Sequence, residues 1–280
     1  MKRKNQDPDH QKAQSGTPPI RHILSLSGGK DSTALALYMR ERVPEMEYVF
    51  CDTGEELSET YDYLLRIEAV LGKKVKKLNP DRPFRHYLEV YRGVLPDPRT
   101  RWCTRMLKLR PFEHYVGDDP VYLYVGIRAD EPNRKGYIST KPNITACFPF
   151  VEDGITKGDV MRILEESGLG MPTYYEWRSR SGCYFCFFQQ RREWIGLLER
   201  HPDLYWKAAD FEKYDEATGK MFTWIENETL HDLAKRAEEI KAEYIRRSQD
   251  EDVHRSRATL RDVFGSEPDD RRDGCLVCHL

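Results

Sequence analysis

The hexapeptide Ser27-Gly28-Gly29-Lys30-Asp31-Ser32 lies between an apolar run, Arg21-His22-Ile23-Leu24-Ser25-Leu26, that reads as a short strand, and a helical stretch from Ser32 to Arg42. A strand that feeds a helix through two adjacent glycines must turn tightly, and such a turn presents backbone N–H groups to an anion. The helix behind it adds the positive end of its dipole. Lys30 supplies a point charge, and Ser27 and Ser32 supply hydroxyl donors. The segment therefore reads as a phosphate cradle, without the Gly-x4-Gly-Lys-Ser/Thr spacing of a Walker loop. The competing reading is an ordinary Gly-Gly turn with Lys30 and Asp31 solvated.

The same strand-then-helix alternation continues. Glu47–Cys51 reads as a second strand, leading into Asp52-Thr53-Gly54 and a helix near Leu57–Leu71. Val75–Leu78 and Val121–Val125 read as two more strands. Strands alternating with helices predict an α/β fold: a doubly wound parallel sheet of about five strands, with ligands at the strands' carboxyl ends. From about Phe148 the pattern becomes helical, with helices expected at Thr156–Leu164, Gln190–Arg200 and Leu230–Arg247. The expected organisation is a flexible arm over 1–19, an α/β domain over 20–200, a helical extension over 201–248 and a mobile cysteine-containing tail over 249–280. Phe222, Trp206 and Trp224 are expected to pack the C-terminal helices against the sheet.

Composition narrows the partners. Lys+Arg 45 against Asp+Glu 47 gives a net charge of −2, which excludes a uniformly basic nucleic-acid binder, so any such contact needs a local patch. No run reaches the roughly 18 apolar residues of a membrane span. The basic start Met1-Lys2-Arg3-Lys4 is followed by no apolar stretch, so an intracellular, cytoplasmic protein is expected. The sequence leaves monomer and oligomer open. Seven cysteines, an odd number, do not suggest a disulfide framework.

Cysteine spacing suggests metal or sulfur chemistry instead. Cys183 and Cys186 form a C-x2-C turn, and with Cys103 from a distant loop they can offer three corners of one metal or cluster site. Cys275 and Cys278, followed by His279, form a second C-x2-C pair that can act as nucleophile, resolving thiol or persulfide carrier. Cys51 and Cys147 sit in or beside apolar segments and read as small buried residues. Arginines crowd both cysteine motifs, among them Arg99, Arg101, Arg105, Arg178 and Arg180, interleaved with Trp177, Tyr184, Phe187 and Trp194. Arginines with aromatics suit a phosphate backbone and stacked bases, or the triphosphate of ATP, or a partner protein, or merely a solvated face.

The ordered set of motifs resembles a known family. Ser27–Ser32 resembles the pyrophosphate loop of the adenine nucleotide alpha-hydrolase-like superfamily, the N-type ATP pyrophosphatases. Asp52-Thr53-Gly54 with Glu59-Thr60, Gly126-Ile127-Arg128, Phe148-Pro149-Phe150 with Asp159-Val160, and Gly182-Cys183-x2-Cys186 are similar to segments of its phosphoadenosine-phosphosulfate reductase-like branch. The resemblance implies an enzyme that binds ATP and Mg²⁺, adenylates an acceptor and releases pyrophosphate. It implies a nucleotide site of Ser25, Ser27, Gly28, Gly29, Lys30, Asp31, Ser32, Asp52, Thr53, Gly54 and Gly126. In that site Lys30 and the loop amides would hold pyrophosphate, and Asp31 would hold Mg²⁺. Arg128 would face the α-phosphate or else form a structural salt bridge. Cys103, Cys183 and Cys186 would hold a [4Fe-4S] cluster, or zinc. Thr104 stands where cluster-bearing reductases have a fourth cysteine.

Among relatives, DNA phosphorothioation enzymes are the best match, which implies a cysteine desulfurase or other sulfur donor and a nucleic-acid acceptor. A tRNA thiolase is the near alternative. A sulfonucleotide reductase using Cys278 is a second class, and a non-catalytic nucleotide sensor a third.

Overall fold

The central strands carry apolar side chains on both faces, and the two faces fill different cores. A computed structural model describes residues 19–134, 141–216 and 219–246. Five strands form one sheet: β1 (Arg21–Ser25), β2 (Glu47–Cys51), β3 (Val75–Leu78), β4 (Val121–Tyr124) and β5 (Ile144–Cys147), all parallel, in the order β3-β2-β1-β4-β5. Ile23, Val49 and Leu123 point to one face, into a core with Phe112 and Val116. Their neighbours Leu24, Tyr48, Phe50 and Tyr124 point to the other, against Leu35, Ile67, Val160 and Leu164. This period-two split makes the sheet doubly wound. Each large side chain so buried contributes about 1.5–3 kcal/mol. The edge strand β3 buries Val75 and Leu78 and exposes Lys76 and Lys77, charges that discourage further strand pairing.

The helices are α1 (Lys30–Met39), α2 (Ser58–Leu71), α3 (Phe84–Val90), α4 (Trp102–Thr104), α5 (Arg110–Val116), α6 (Pro149–Glu152), α7 (Lys157–Glu166), α8 (Arg191–Arg200), α9 (Pro202–Ala209) and α10 (Leu230–Lys235). A π turn over Arg105–Leu109 joins α4 to α5, and a 3-10 turn covers Thr173–Glu176. Thr156 and Asp159 cap α7 reciprocally, the Thr156 N–H donating to Asp159 Oδ2 at 3.0 Å. A short antiparallel pair, β6 (Lys213–Asp215) and β7 (Lys220–Phe222), follows α9.

A third core lies beyond the sheet, built on aromatic rings. Phe84 packs 4.2 Å from Phe185 and 5.1 Å from both Trp102 and Phe211, and Phe185 stacks on Trp224 at 5.3 Å. This cluster, rather than the sheet, receives Trp224 and the C-terminal helices. Trp206 stays 40% exposed, against the His231 ring, so it is no packing residue. The expected single helix over Leu230–Arg247 is two pieces. The Thr229 side chain caps α10 by accepting from the Asp232 N–H at 3.0 Å, the helix breaks at Arg236, and residues 237–246 are helical again. Arg236 there turns to the buried Glu228 (2.7 Å). Among the described residues no helix is long and apolar enough to cross a membrane.

Candidate functional site

Strand order reverses between β1 and β4, and the loops leaving the carboxyl ends of these two strands meet there. After β1 the chain turns through Gly28 at φ +72°, a left-handed conformation costly to residues with a side chain. A Cβ on Gly28 would also stand 2.8 Å from Thr60 Cγ2. After β4, Gly126 passes so close to α1 that a Cβ would lie 3.0 Å from the Asp31 carbonyl carbon and oxygen. Both glycines are demanded by packing, which fits the sequence-predicted loop. The loop's hydroxyls knit it together. Ser32 Oγ accepts from the Ser27 N–H at 3.1 Å and lies 3.0 Å from Ser27 Oγ.

The first turn of α1 carries a buried charge cluster. Asp31 and Arg128 are 6% and 7% exposed, and Arg128 Nη1 reaches Asp31 Oδ1 at 2.9 Å. Arg128 also binds Asp130 at 2.8 Å and lies 3.6 Å from Glu131. Burial works against its charge, but the Asp31 and Glu131 carboxylates outweigh that and hold the guanidinium above its ordinary value. Lys30 Nζ lies 3.5 Å from Asp31 Oδ2. Arg128 is thus a structural ion-pair partner in this arrangement.

Three residues from one distant segment also bond to the loop. The Tyr175 hydroxyl accepts from the Lys30 N–H at 3.2 Å, with Lys30 Nζ 5.2 Å from its ring centroid. Ser181 Oγ donates to Ser27 Oγ at 3.2 Å, and the Tyr174 hydroxyl donates to the Gly28 carbonyl at 2.6 Å. Burial, then Asp31, raises the Tyr175 pKa, keeping the phenol protonated. Ser25 Oγ at the end of β1 and Thr60 Oγ1 beside the loop are buried with no hydrogen-bond partner. Orphaned hydroxyls around a positive helix end suit the oxygens of a nucleotide phosphate.

Asp52, Thr53 and Gly54 follow β2. Asp52 Oδ1 accepts from the Gly54 N–H (3.0 Å) and the Tyr61 hydroxyl (2.7 Å). Thr53 Oγ1 donates to Glu56 at 3.0 Å and stands 3.3 Å from Cys183 Sγ, so this turn touches the cysteine motif.

The C-x2-C turn is anchored by Phe185 in the aromatic core and by the buried Arg178, which donates to the Gly182 and Cys183 carbonyls at 3.0 and 2.9 Å. Cys183 donates weakly to Glu56 Oε1 (3.6 Å), and burial, reinforced by Glu56, pushes its thiol well above the usual range. Cys103 on α4 and Cys183 pack against the same aromatic cluster, and the Cys186 N–H reaches the Cys183 carbonyl at 3.1 Å. Among the described residues, however, no three or more His, Cys, Asp or Glu side chains are grouped to hold a metal ion, so these donors as placed do not fit a cluster or zinc. Cys275, Cys278 and His279 lie outside the described residues, as do the 1–18 arm and the tail. Cys51 is buried, its thiol pushed up to about 12 by burial, whereas Cys147 is half-buried at the end of β5. Trp177, Tyr184 and Trp194 are core residues, at most 8% exposed, and offer no face for a base.

Residues 21–186 match the family model for the phosphoadenosine phosphosulfate reductase domain. An uncharacterised protein of Methanocaldococcus jannaschii is 29% identical over 206 residues, covering 69% of this chain and 48% of its own length. A tRNA-specific 2-thiouridylase of Pseudomonas fluorescens is 27% identical over 214 residues, covering 64% of this chain and 55% of its own. The chain spans about half the length of the archaeal relatives it matches. The crystal structure of phosphoadenylyl-sulfate reductase from Candida auris, in a phosphate complex, is similar at a TM-score of 0.48 and 13% identity, covering 59% of this chain and 82% of that one.

Proposed function

Because the chain belongs to the phosphoadenosine phosphosulfate reductase domain family, we propose that it is an ATP pyrophosphatase that adenylates a nucleic-acid acceptor for sulfur transfer. One observation carries this reading. The loop keeps Ser27-Gly28-Gly29-Lys30-Asp31-Ser32 in full, folded at the sheet's switch point with Gly28 and Gly126 packed too closely for any side chain. A loop of this kind serves a reaction that must expel pyrophosphate.

ATP is the substrate. Lys30 and the N-terminal amides of α1 would hold its β- and γ-phosphates and offset the charge that develops on the leaving group. Asp31, buried between Arg128 and Lys30, is the residue to hold Mg²⁺, which when bound neutralises phosphate charge. An acceptor oxygen attacks the α-phosphorus, the α–β bridging P–O bond breaks, and pyrophosphate leaves with the bonding electron pair. Sulfide, or a donor's persulfide whose carrier sulfur a second thiol then takes up as a disulfide, attacks the activated acceptor and displaces AMP with its bonding electron pair. Asp52, Thr53 and Gly54 are the proposed adenosine side of the site. The tRNA-specific 2-thiouridylase among the relatives acts, by its name, on tRNA, which supports a nucleic-acid acceptor here, with DNA phosphorothioation as the preferred form.

Cys103, Cys183 and Cys186 are proposed ligands of a [4Fe-4S] cluster or of zinc only if Cys103 and the Cys183–Cys186 turn draw together. Iron, acid-labile sulfide and zinc analysis of anaerobically purified protein decides among these. The second reading is a sulfonucleotide reductase with Cys278 as its nucleophile, favoured by the family's own domain description. The two separate by product. Pyrophosphate released from ATP, and lost in Lys30→Ala, supports the first. Sulfite formed from phosphoadenosine phosphosulfate, and lost in Cys278→Ser, overturns it.

A further inference from the structure

Two segments far apart in sequence meet at one half-buried ring. The Arg101 guanidinium stands 5.3 Å and the Arg180 guanidinium 5.4 Å from the centroid of Phe188. Among the described residues neither arginine forms an ion pair with a carboxylate. Arg101 Nε donates only to the Pro98 carbonyl at 3.0 Å, and Arg180 Nε is buried without a partner. The carboxylate nearest in sequence, Asp97, is taken up by the Arg99 and Thr100 N–H groups at 2.7 Å each. Over 98–112 and 177–192 the chain carries nine Lys or Arg and no Asp or Glu, in a molecule whose net charge is −2. The positive charge is therefore local. Arg101 is held at φ +40°, a left-handed conformation rare for a residue with a side chain.

We propose that Arg101 and Arg180, together over the Phe188 ring, seat a phosphodiester of a single-stranded nucleic acid, presenting it to the nucleotide loop. Planar guanidiniums pair bidentately with phosphate oxygens, and a guanidinium plane held on an aromatic ring is itself a surface on which an unpaired base stacks. Position supports the assignment. Arg180 adjoins Ser181, whose hydroxyl donates to Ser27 in the loop, and its charge is felt at the Tyr175 phenol that accepts from the Lys30 N–H. A strand phosphate on Arg180 thus lies beside the nucleotide loop, one residue from the Ser181 hydroxyl that binds Ser27. This inference rests on the adenylation reading for its purpose, not for the binding itself.

The test is fluorescence anisotropy of a mixed-sequence single strand of about 15 nucleotides, as DNA and as RNA, with the full-length protein between about 50 and about 200 mM salt. Losing that phosphate in R101A/R180A should make the slope of log K against log salt shallower by about 0.7, the value per neutralised phosphate of a single strand. R101K/R180K, which keeps both charges, should restore the slope. F188L should weaken binding about tenfold with the slope unchanged. ATP binding should stay the same in all three. An unchanged slope in R101A/R180A overturns the proposal, and so does polyglutamate competing as well as the oligonucleotide at equal charge, which would assign the surface to an acidic protein. ATP binding that survives K30A defeats the adenylation reading instead and leaves the strand seat standing.

Discussion

Removing the Arg128 side chain should cost much more than removing the charge it pairs with. Arg128 serves three carboxylates, Asp31 at 2.9 Å, Asp130 at 2.8 Å and Glu131 at 3.6 Å, and both Arg128 and Asp31 are less than a tenth exposed. In R128M these carboxylates lose their common cation, and the buried Asp31 is left with Lys30, at 3.5 Å. Breaking such a buried pair from one side costs about 3–5 kcal/mol. D31N leaves Arg128 with Asp130 and Glu131 and gives up mainly one charge-assisted hydrogen bond, about 1.5–3 kcal/mol. With a urea m-value of about 3 kcal/mol/M, a loss of about 4 kcal/mol moves the unfolding midpoint of R128M down by about 1.3 M, roughly twice the shift of D31N. In the double variant Asp31 no longer carries a stranded charge, so its loss should fall below the sum of the two single losses. Urea unfolding followed by circular dichroism and tryptophan fluorescence measures all three. Equal single losses, or a shift in R128M of less than about 0.3 M, would refute the claim that this cluster pins the β4 loop to α1.

Further outcomes follow from other sites. Gly126→Ala should destabilise by about 1–3 kcal/mol, because the backbone of Asp31 has no room to retreat, whereas Gly54→Ala meets open space and should cost only its left-handed strain, about 1–2 kcal/mol; urea midpoints compare them. Glu47 is held below its ordinary carboxylate value chiefly by Arg21, at 2.7 Å, so its contribution is present above the unfolded value and lost as pH falls through the folded one. Being a third exposed, it is worth about 1 kcal/mol. Thermal melts of E47Q and the parent should therefore differ at pH 7 and converge below about pH 4. Cys51, buried and with its thiol pushed up to about 12, should resist iodoacetamide at pH 8 in the native protein and label on unfolding, as peptide mass mapping would read. Tyr175→Phe removes the acceptor from the Lys30 N–H and should change ATP affinity while leaving the urea midpoint nearly unmoved, as paired titrations would show.

What the sequence disclosed was local, and what it concealed was carried by distant contacts. The loop Ser27–Ser32, strands β1 to β4 and the start of α7 were readable because each signal sits within a dozen residues. The family resemblance, expected over 20–200, corresponds to a family match over 21–186. Strand β5 was not readable, since Ile144-Thr145-Ala146-Cys147 is too short to show a period, and only pairing with β4 gives it order. Tyr175 and Ser181 reach the loop across 145 and 154 residues, a separation no pattern along the chain reports. The aromatics Trp177, Tyr184 and Trp194 suggested a stacking surface but fill the core. Phe188, which nothing marked, is the half-buried ring between two arginines. A dense aromatic run cannot announce which ring faces outward until the C-x2-C turn is placed.

The central claim is that the loop at the head of α1 binds ATP for cleavage rather than a sulfonucleotide for reduction. Competitive titration of ATP-Mg²⁺ and phosphoadenosine phosphosulfate against anaerobically purified protein tests it most directly, because no acceptor need be known. ATP should bind at micromolar strength, lose that binding in Lys30→Ala, and resist displacement by the sulfonucleotide. Far tighter binding of the sulfonucleotide, indifferent to Lys30, would contradict it and move the chemistry to the tail cysteines.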